Sequence, residues 1–173
     1  MADRIDITLS VPSNRRYQLV YRQERSERFA AEMPEGVEFR FLSAPVDLLA
    51  RFGPAWRLFG LAGAAKACLK LATPSRSLYC LMLHGAIVNY GWVMLSSCGY
   101  YRVERGDAVI GPVWTDPSHR GEGLATLGLR SAINAWLGRG SRVFFIDTAG
   151  DNLAMQAVIA KCGFGPPVAL YLR

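Results

Sequence analysis

The stretch that most restricts this chain is Thr115-Asp-Pro-Ser-His-Arg-Gly-Glu-Gly-Leu-Ala-Thr126. An apolar run, Ala108 to Thr115, leads into it, and Pro117 ends that run because it fixes φ and has no N–H for a strand ladder. A helical pattern starts near Leu124, with Leu129, Ile133, Trp136 and Leu137 at i, i+4, i+7 and i+8. The local order is therefore strand, glycine-bearing turn, helix. No Ser, Thr, Asp or Asn stands where the helix cap belongs, so the first-turn N–H groups are left for an outside acceptor. Free N–H groups beside bare glycine backbone make an anion site, and phosphate suits it best.

Two common phosphate loops do not fit. The Walker A string Gly-x-x-x-x-Gly-Lys-Ser/Thr does not occur. A dinucleotide fingerprint starting at Gly121 meets Thr126 at its sixth position, and no βαβ unit with a ribose-binding acid follows. Arg120-Gly-Glu-Gly123-Leu-Ala125 does fit Arg/Gln-x-x-Gly-x-Gly/Ala. That pattern resembles the acyl-CoA-binding motif of the GNAT superfamily of N-acyltransferases. A second element agrees with it. Asp147-Thr-Ala-Gly-Asp-Asn152 ends an apolar strand, Leu153 to Cys162 reads as a helix, and Gly163-Phe164 closes it, with the Asn-to-Gly separation of that family. The resemblance covers roughly residues 84 to 173.

The resemblance implies a single α/β (α+β) domain over residues 1–173. Its mixed, mostly antiparallel sheet has about six or seven strands, with helices on both sides. A V-shaped splay is expected between the central parallel strands, with residues 108–164 as the CoA-binding core. Residues 45–72 would supply acceptor-side helices, and residues 1–36 an N-terminal extension. The implied donor is acetyl-CoA, and no metal is called for. Its pyrophosphate would lie on Arg120, Gly121, Gly123, Leu124, Ala125 and Thr126. Its pantetheine arm would run past Val113, Trp114, Thr115 and Asn152, with the N–H of Val113 or Trp114 on the acyl oxygen. Asn152 also suits a helix cap.

Composition sets the outer limits. A chain of 173 residues, 51% hydrophobic, can bury one sizeable core and is not a disordered polymer. No apolar run reaches the roughly 18 to 20 residues of a membrane span. No signal peptide is visible, and Cys68, Cys80, Cys98 and Cys162 form no Cys-x-x-Cys pair, so free thiols in a reducing cytoplasm are expected. His84 and His119 do not supply metal-ligand spacing. Of the net charge of +6, residues 1–60 carry +1 and residues 61–173 carry +5, which places the excess with the phosphate turn. The basic residues form no cluster with interleaved aromatics, so nucleic acid is not an expected partner. A homodimer stands as a candidate assembly.

Along the chain, Ile5, Ile7 and Leu9 permit a short strand, and Arg22 to Arg28 reads as a solvated helix face. Val37, Phe39 and Phe41 alternate as a half-buried first strand of the fold proper. Pro45–Phe52 and Trp56–Leu71 read as two helices interrupted at Gly53-Pro54. The second has a basic edge of Arg57, Lys66 and Lys70, which also fits a membrane-surface helix. Leu78–Leu83 and Ala86–Ser96 read as a hairpin turned at His84-Gly85. Arg142–Thr148 and Val168–Leu172 complete the strands.

Acyl transfer needs a base for the amine and an acid for the leaving thiolate. Asp147 and His84 are the candidates for the base, each also open to a structural role. The family's usual acid, a Tyr seven residues past the Asn, is Ile159 in this chain. Tyr171, a water, or no acid at all would take its place. Gly91-Trp92 and the Ile110–Thr115 run before Asp-Pro-x-x-Arg-Gly-x-Gly-Leu resemble a bacterial GNAT subgroup near surface-polysaccharide pathways. The resemblance suggests an amino-sugar or sugar-nucleotide acceptor. The alternative is a GNAT-fold CoA-binding module without efficient turnover, or an acyltransferase using another acyl group.

Overall fold

The computed structural model describes residues 17–50 and 52–172. Seven strands form one sheet: β1 (Tyr17–Glu24), β2 (Val37–Leu42), β3 (Arg76–Leu83), β4 (Ala86–Leu95), β5 (Ala108–Thr115), β6 (Val143–Ala149) and β7 (Ala169–Leu172). Four helices accompany them: α1 (Pro45–Leu49), α2 (Phe52–Leu71), α3 (Leu124–Leu137) and α4 (Leu153–Lys161). The sheet order is β2-β3-β4-β5-β6-β1-β7. Every adjacent pair is antiparallel except β5–β6, which is parallel.

The β3–β4 hairpin turns where expected. His84 and Gly85 have φ of 48° and 78°, the double positive-φ geometry that matches strand twist in two-residue hairpins. β6 is buried through Phe144, Phe145 and Ile146, as its unbroken apolar run requires of a strand covered on both faces. On one face, α3 packs Leu129, Ile133 and Trp136 into a cluster with Tyr79, Phe144 and Ile146, which Ile159 of α4 joins. On the other face, α1 and α2 cover Leu78, Cys80 and Trp92 with Leu48, Ala67 and Leu71. The connection after β4 brings Tyr101 and Val103 over Val109 and Phe145 on that same face.

Three local expectations change. Arg22–Arg28 is not a helix: residues through Glu24 belong to β1, which runs inside the sheet between β6 and β7. The alternating burial at its start, with Tyr21 and Gln23 inside and Arg22 and Glu24 outside, has a strand's period of two that its charges disguise. Residues 17–24 of the expected extension therefore lie in the sheet, and Val37–Leu42 is an edge strand rather than the first. α2 begins at Phe52, ahead of Gly53-Pro54, and its break falls at Gly60, with φ 66° and ψ 173°. Proline near a helix start loses no intrahelical bond, so Pro54 is tolerated there. The short strand expected around Ile5–Leu9 lies outside the described residues.

α2 is apolar on both sides. Ala55, Ala64, Ala67 and Leu71 face inward, while Trp56, Leu61 and Leu69 are exposed. No described helix is long and apolar enough to cross a membrane.

Candidate active site

The parallel pairing of β5 with β6 stops early. Ala108, Val109 and Ile110 register with Phe144, Phe145 and Ile146, and beyond Ile110 the strands part. Pro112, with no N–H, stands at the opening. The register also sets which backbone groups face the gap. Asp116 N–H donates to the Val88 carbonyl at 2.9 Å, and Trp114 is opposite Tyr90. Antiparallel alternation then turns the N–H and C=O of Trp114 toward β4, and those of Val113 and Thr115 toward the gap. On β6, Gly150 N–H donates to Tyr17 C=O at 3.1 Å, so Asp147 and Ala149 present their backbone to the gap from the other side. Beyond Ile110 the two strand edges thus diverge and face one another across the gap.

At the end of β5, Asp116 caps a 3-10 turn, accepting from Ser118 N–H at 2.9 Å. Those bonds from Ser118 hold its carboxyl below the ordinary aspartate range. The chain then passes Gly121 and Gly123, with φ of 87° and 80°, a region only glycine enters without cost. Gly123 is the N-cap of α3 and has no side chain to fold back. The first helical backbone bond runs from Leu127 N–H to Gly123 C=O at 3.0 Å. The amides of Leu124, Ala125 and Thr126 therefore point out of the helix start.

They point into a cavity of about 530 Å³ lined by Val113, Trp114, Thr115, Arg120, Gly121, Gly123, Leu124, Ala125, Thr126 and Asn152. All ten sequence candidates for cofactor binding are thus brought to one hollow. His119 and Lys161 line it too, and were missed. Lys161 comes from the last turn of α4, whose distance from the phosphate turn in sequence hides it. Arg120 Nε lies 3.4 Å from the Thr115 carbonyl. Asn152 accepts from Met155 N–H at 3.1 Å, which fulfils its capping role. The charge-bearing groups lining this hollow are basic, with no Asp or Glu among the described lining residues.

A second cavity, of about 500 Å³, shares Val113, Asn152 and Met155 with the first and lies around the start of the splay. Gly111, Pro112, Asp147, Tyr100 and Tyr171 line it. Tyr171 Oη donates to Asp147 Oδ1 at 3.3 Å, and Tyr101 Oη donates to Oδ2 at 3.2 Å. Burial pushes the Tyr101 phenol above its ordinary value, and the neighbouring Asp147 charge and Cys98 add to the effect. Tyr101 therefore remains a donor through neutral pH. The Tyr100 and Tyr171 rings stack at 4.9 Å with 8° between planes.

The catalytic candidates separate. Asp147 and Tyr171 meet in the second cavity, whereas His84 sits in the β3–β4 turn beside Gly36 and lines neither hollow. Ile159 is fully buried in the α3-side core, so the position that suits an acid in the family is filled with packing. Asn89, fully buried on β4, was also missed: its Nδ2 donates to Trp114 C=O at 2.7 Å and to Thr115 Oγ1 at 2.9 Å, fixing the end of β5.

A mixed sheet split at its parallel pair, with an uncapped helix start at the mouth of the split, is the architecture of acyl-CoA-dependent transferases. The acetyltransferase (GNAT) family model matches residues 56–164, and the chain belongs to that family. The family uses acetyl-CoA. No curated protein matches the chain. Among solved structures it is similar to a GCN5-related N-acetyltransferase from Sphaerobacter thermophilus, at 18% identity and TM-score 0.67, covering 91% of this chain and 50% of that one. A tandem GNAT protein from the clavulanic acid biosynthesis pathway gives 19% identity and TM-score 0.67, covering 92% and 53%. AAC(6')-Iy in complex with the bisubstrate analogue CoA-S-monomethyl-acetylneamine gives 18% identity and TM-score 0.60, covering 77% and 93%. The chain spans about half the length of the first of these relatives.

Proposed function

We propose that this chain transfers the acetyl group of acetyl-CoA to a primary amine of a small molecule, an amino sugar among the candidates, by direct attack in a ternary complex. The observation that carries this reading is the Gly123-capped start of α3, whose outward amides open into a cavity that meets the β5–β6 gap. The pyrophosphate lies on the amides of Leu124, Ala125 and Thr126, with Arg120 and Lys161 adding charge. The pantetheine runs along the parted edges of β5 and β6, and the thioester reaches Gly111–Val113.

There the ammonium releases one proton to solvent, and the neutral amine passes its next proton to Asp147 as the C–N bond forms. Its nitrogen attacks the thioester carbon, and the Val113 N–H, which faces the gap, steadies the oxygen as it gains charge. Trp114 N–H is turned to β4 and does not compete. The C–N bond forms, the C–S bond breaks, and the thiolate takes a proton from Tyr171, which recovers one from Asp147. His84 has no part in this scheme. The observed burial of Ile159 favours one alternative, a CoA-binding module without turnover.

The test is calorimetry with acetyl-CoA followed by release of free CoA thiol with a panel of amines. Micromolar binding with release supports the reading. Absence of any thermal shift at millimolar acetyl-CoA refutes the donor site, and tight binding without release for any amine leaves the module.

A further inference from the structure

The two cavities differ in charge. The helix-start hollow is lined by His119, Arg120 and Lys161. The hollow beneath the splay contains one charged side chain among its described lining residues, Asp147, and no Arg, Lys or His. Asp147 follows Ile146, which registers with Ile110, so it lies across the gap from Gly111, where β5 first leaves its neighbour. Two phenols bracket its carboxylate, at 3.2 and 3.3 Å. One of them, Tyr171, stacks flat on Tyr100, whose ring is largely exposed and forms the outer wall. Met94 and Val109 extend the apolar lining.

We infer that the acceptor is a cationic amine carrying no phosphate or carboxylate, whose ammonium meets Asp147 and whose flat body lies against the Tyr100–Tyr171 pair. This rests on the acetyl-transfer reading and narrows it: a sugar nucleotide is excluded and a plain amino sugar or aryl-alkyl amine is retained. An anionic group in this hollow would find a carboxylate and no described cation, and burying it unpaired is costly. An ammonium finds a carboxylate and aromatic faces, both of which attract it. The positive excess of the chain does not contradict this, because its share at the site lies at the donor mouth.

The test measures binding, so that it does not depend on turnover. The full chain is saturated with CoA and titrated with two matched pairs: 2-phenylethylamine against phenylalanine, and glucosamine against glucosamine 6-phosphate. Each cation is expected to bind about tenfold or more tightly than its anion-bearing partner. Asp147→Asn is expected to abolish the discrimination, and Tyr100→Leu, at an exposed position, to weaken 2-phenylethylamine about fivefold. Equal or tighter binding of the anion-bearing member in either pair overturns the inference. So does binding by neither cation, or undiminished discrimination in Asp147→Asn. If Asp147→Asn does not fold, the wild-type pairs and Tyr100→Leu decide. Thiol release is read separately. Cations that bind without release refute transfer and leave the selectivity standing. Release with glucosamine 6-phosphate as fast as with glucosamine refutes the selectivity and leaves transfer standing.

Discussion

Gly128 on α3 lies directly over the Asn89 amide: a Cβ at Gly128 would stand 2.2 Å from Asn89 Oδ1 and 3.0 Å from the Tyr79 ring. Asn89 in turn donates to Trp114 and Thr115. The pair therefore ties the helix that presents its amides to the strand that lines the gap. Gly128→Ala is expected to push α3 off the sheet, costing about 1–3 kcal/mol as overpacking does, and to weaken acetyl-CoA. Urea unfolding and calorimetry measure the two effects. Unchanged values of both would show that the contact does not set the helix position.

Gly123→Ala tests the cap itself. A side chain at φ 80° is strained, at about 1 kcal/mol, and crowds an approaching phosphate. Acetyl-CoA affinity is expected to fall about tenfold or more, beyond what the loss of stability explains. Calorimetric Kd against thermal midpoint separates the two.

Asp147→Asn is expected to lower kcat by about 100-fold or more, the range for loss of a general base, while acetyl-CoA affinity is retained. His84→Ala is expected to leave both unchanged. Steady-state kinetics with the best amine of the panel makes the comparison, and the reverse result would move the base to the hairpin turn.

Ile159→Tyr would place a phenol where the family's usual acid stands. Ile159 is fully buried among core side chains, so the larger ring is expected to destabilise by about 1–3 kcal/mol and to leave turnover no faster. A faster enzyme would contradict the assignment of that site to packing.

Alkaline pH is expected to unfold the protein partly through Cys162. Burial pushes its thiol up from 9.0 to about 11. The folded state holds the proton over that interval while the unfolded chain releases it. The contribution is therefore complete below pH 9 and is lost as pH rises toward about 11, by something on the order of 2 kcal/mol. Unfolding free energies across that window, compared with Cys162→Ala, measure it: the variant should show the shallower decline.

The local strings were readable because neighbours in sequence determine them. Pro117, Gly121 and Gly123 mark the turn and the start of α3, and His84-Gly85 marks the hairpin. The Asp147–Tyr171 meeting was half readable: both residues stood out, but the register that joins β6 to β7 through β1 did not. Asn89, Lys161 and Tyr101 gave no signal, since each acts through a partner between 25 and 46 residues away or across a cavity. Arg22–Glu24 misled because alternating charge in a strand and a charged helix face share a composition and differ only in period.

The lodging of β1 between β6 and β7 orders events during synthesis. Tyr17–Glu24 leaves the ribosome well before its partners, since both strands that hydrogen-bond to it begin at residue 143 or later. Until then its two edges have no mates, and the far wall of the gap is open. Such long-separation pairing forms slowly. The nascent chain must therefore carry an unmatched strand until those residues emerge, exposed to chaperones and to stray edge pairing, and the cavity beneath the splay is completed only when Tyr171 arrives.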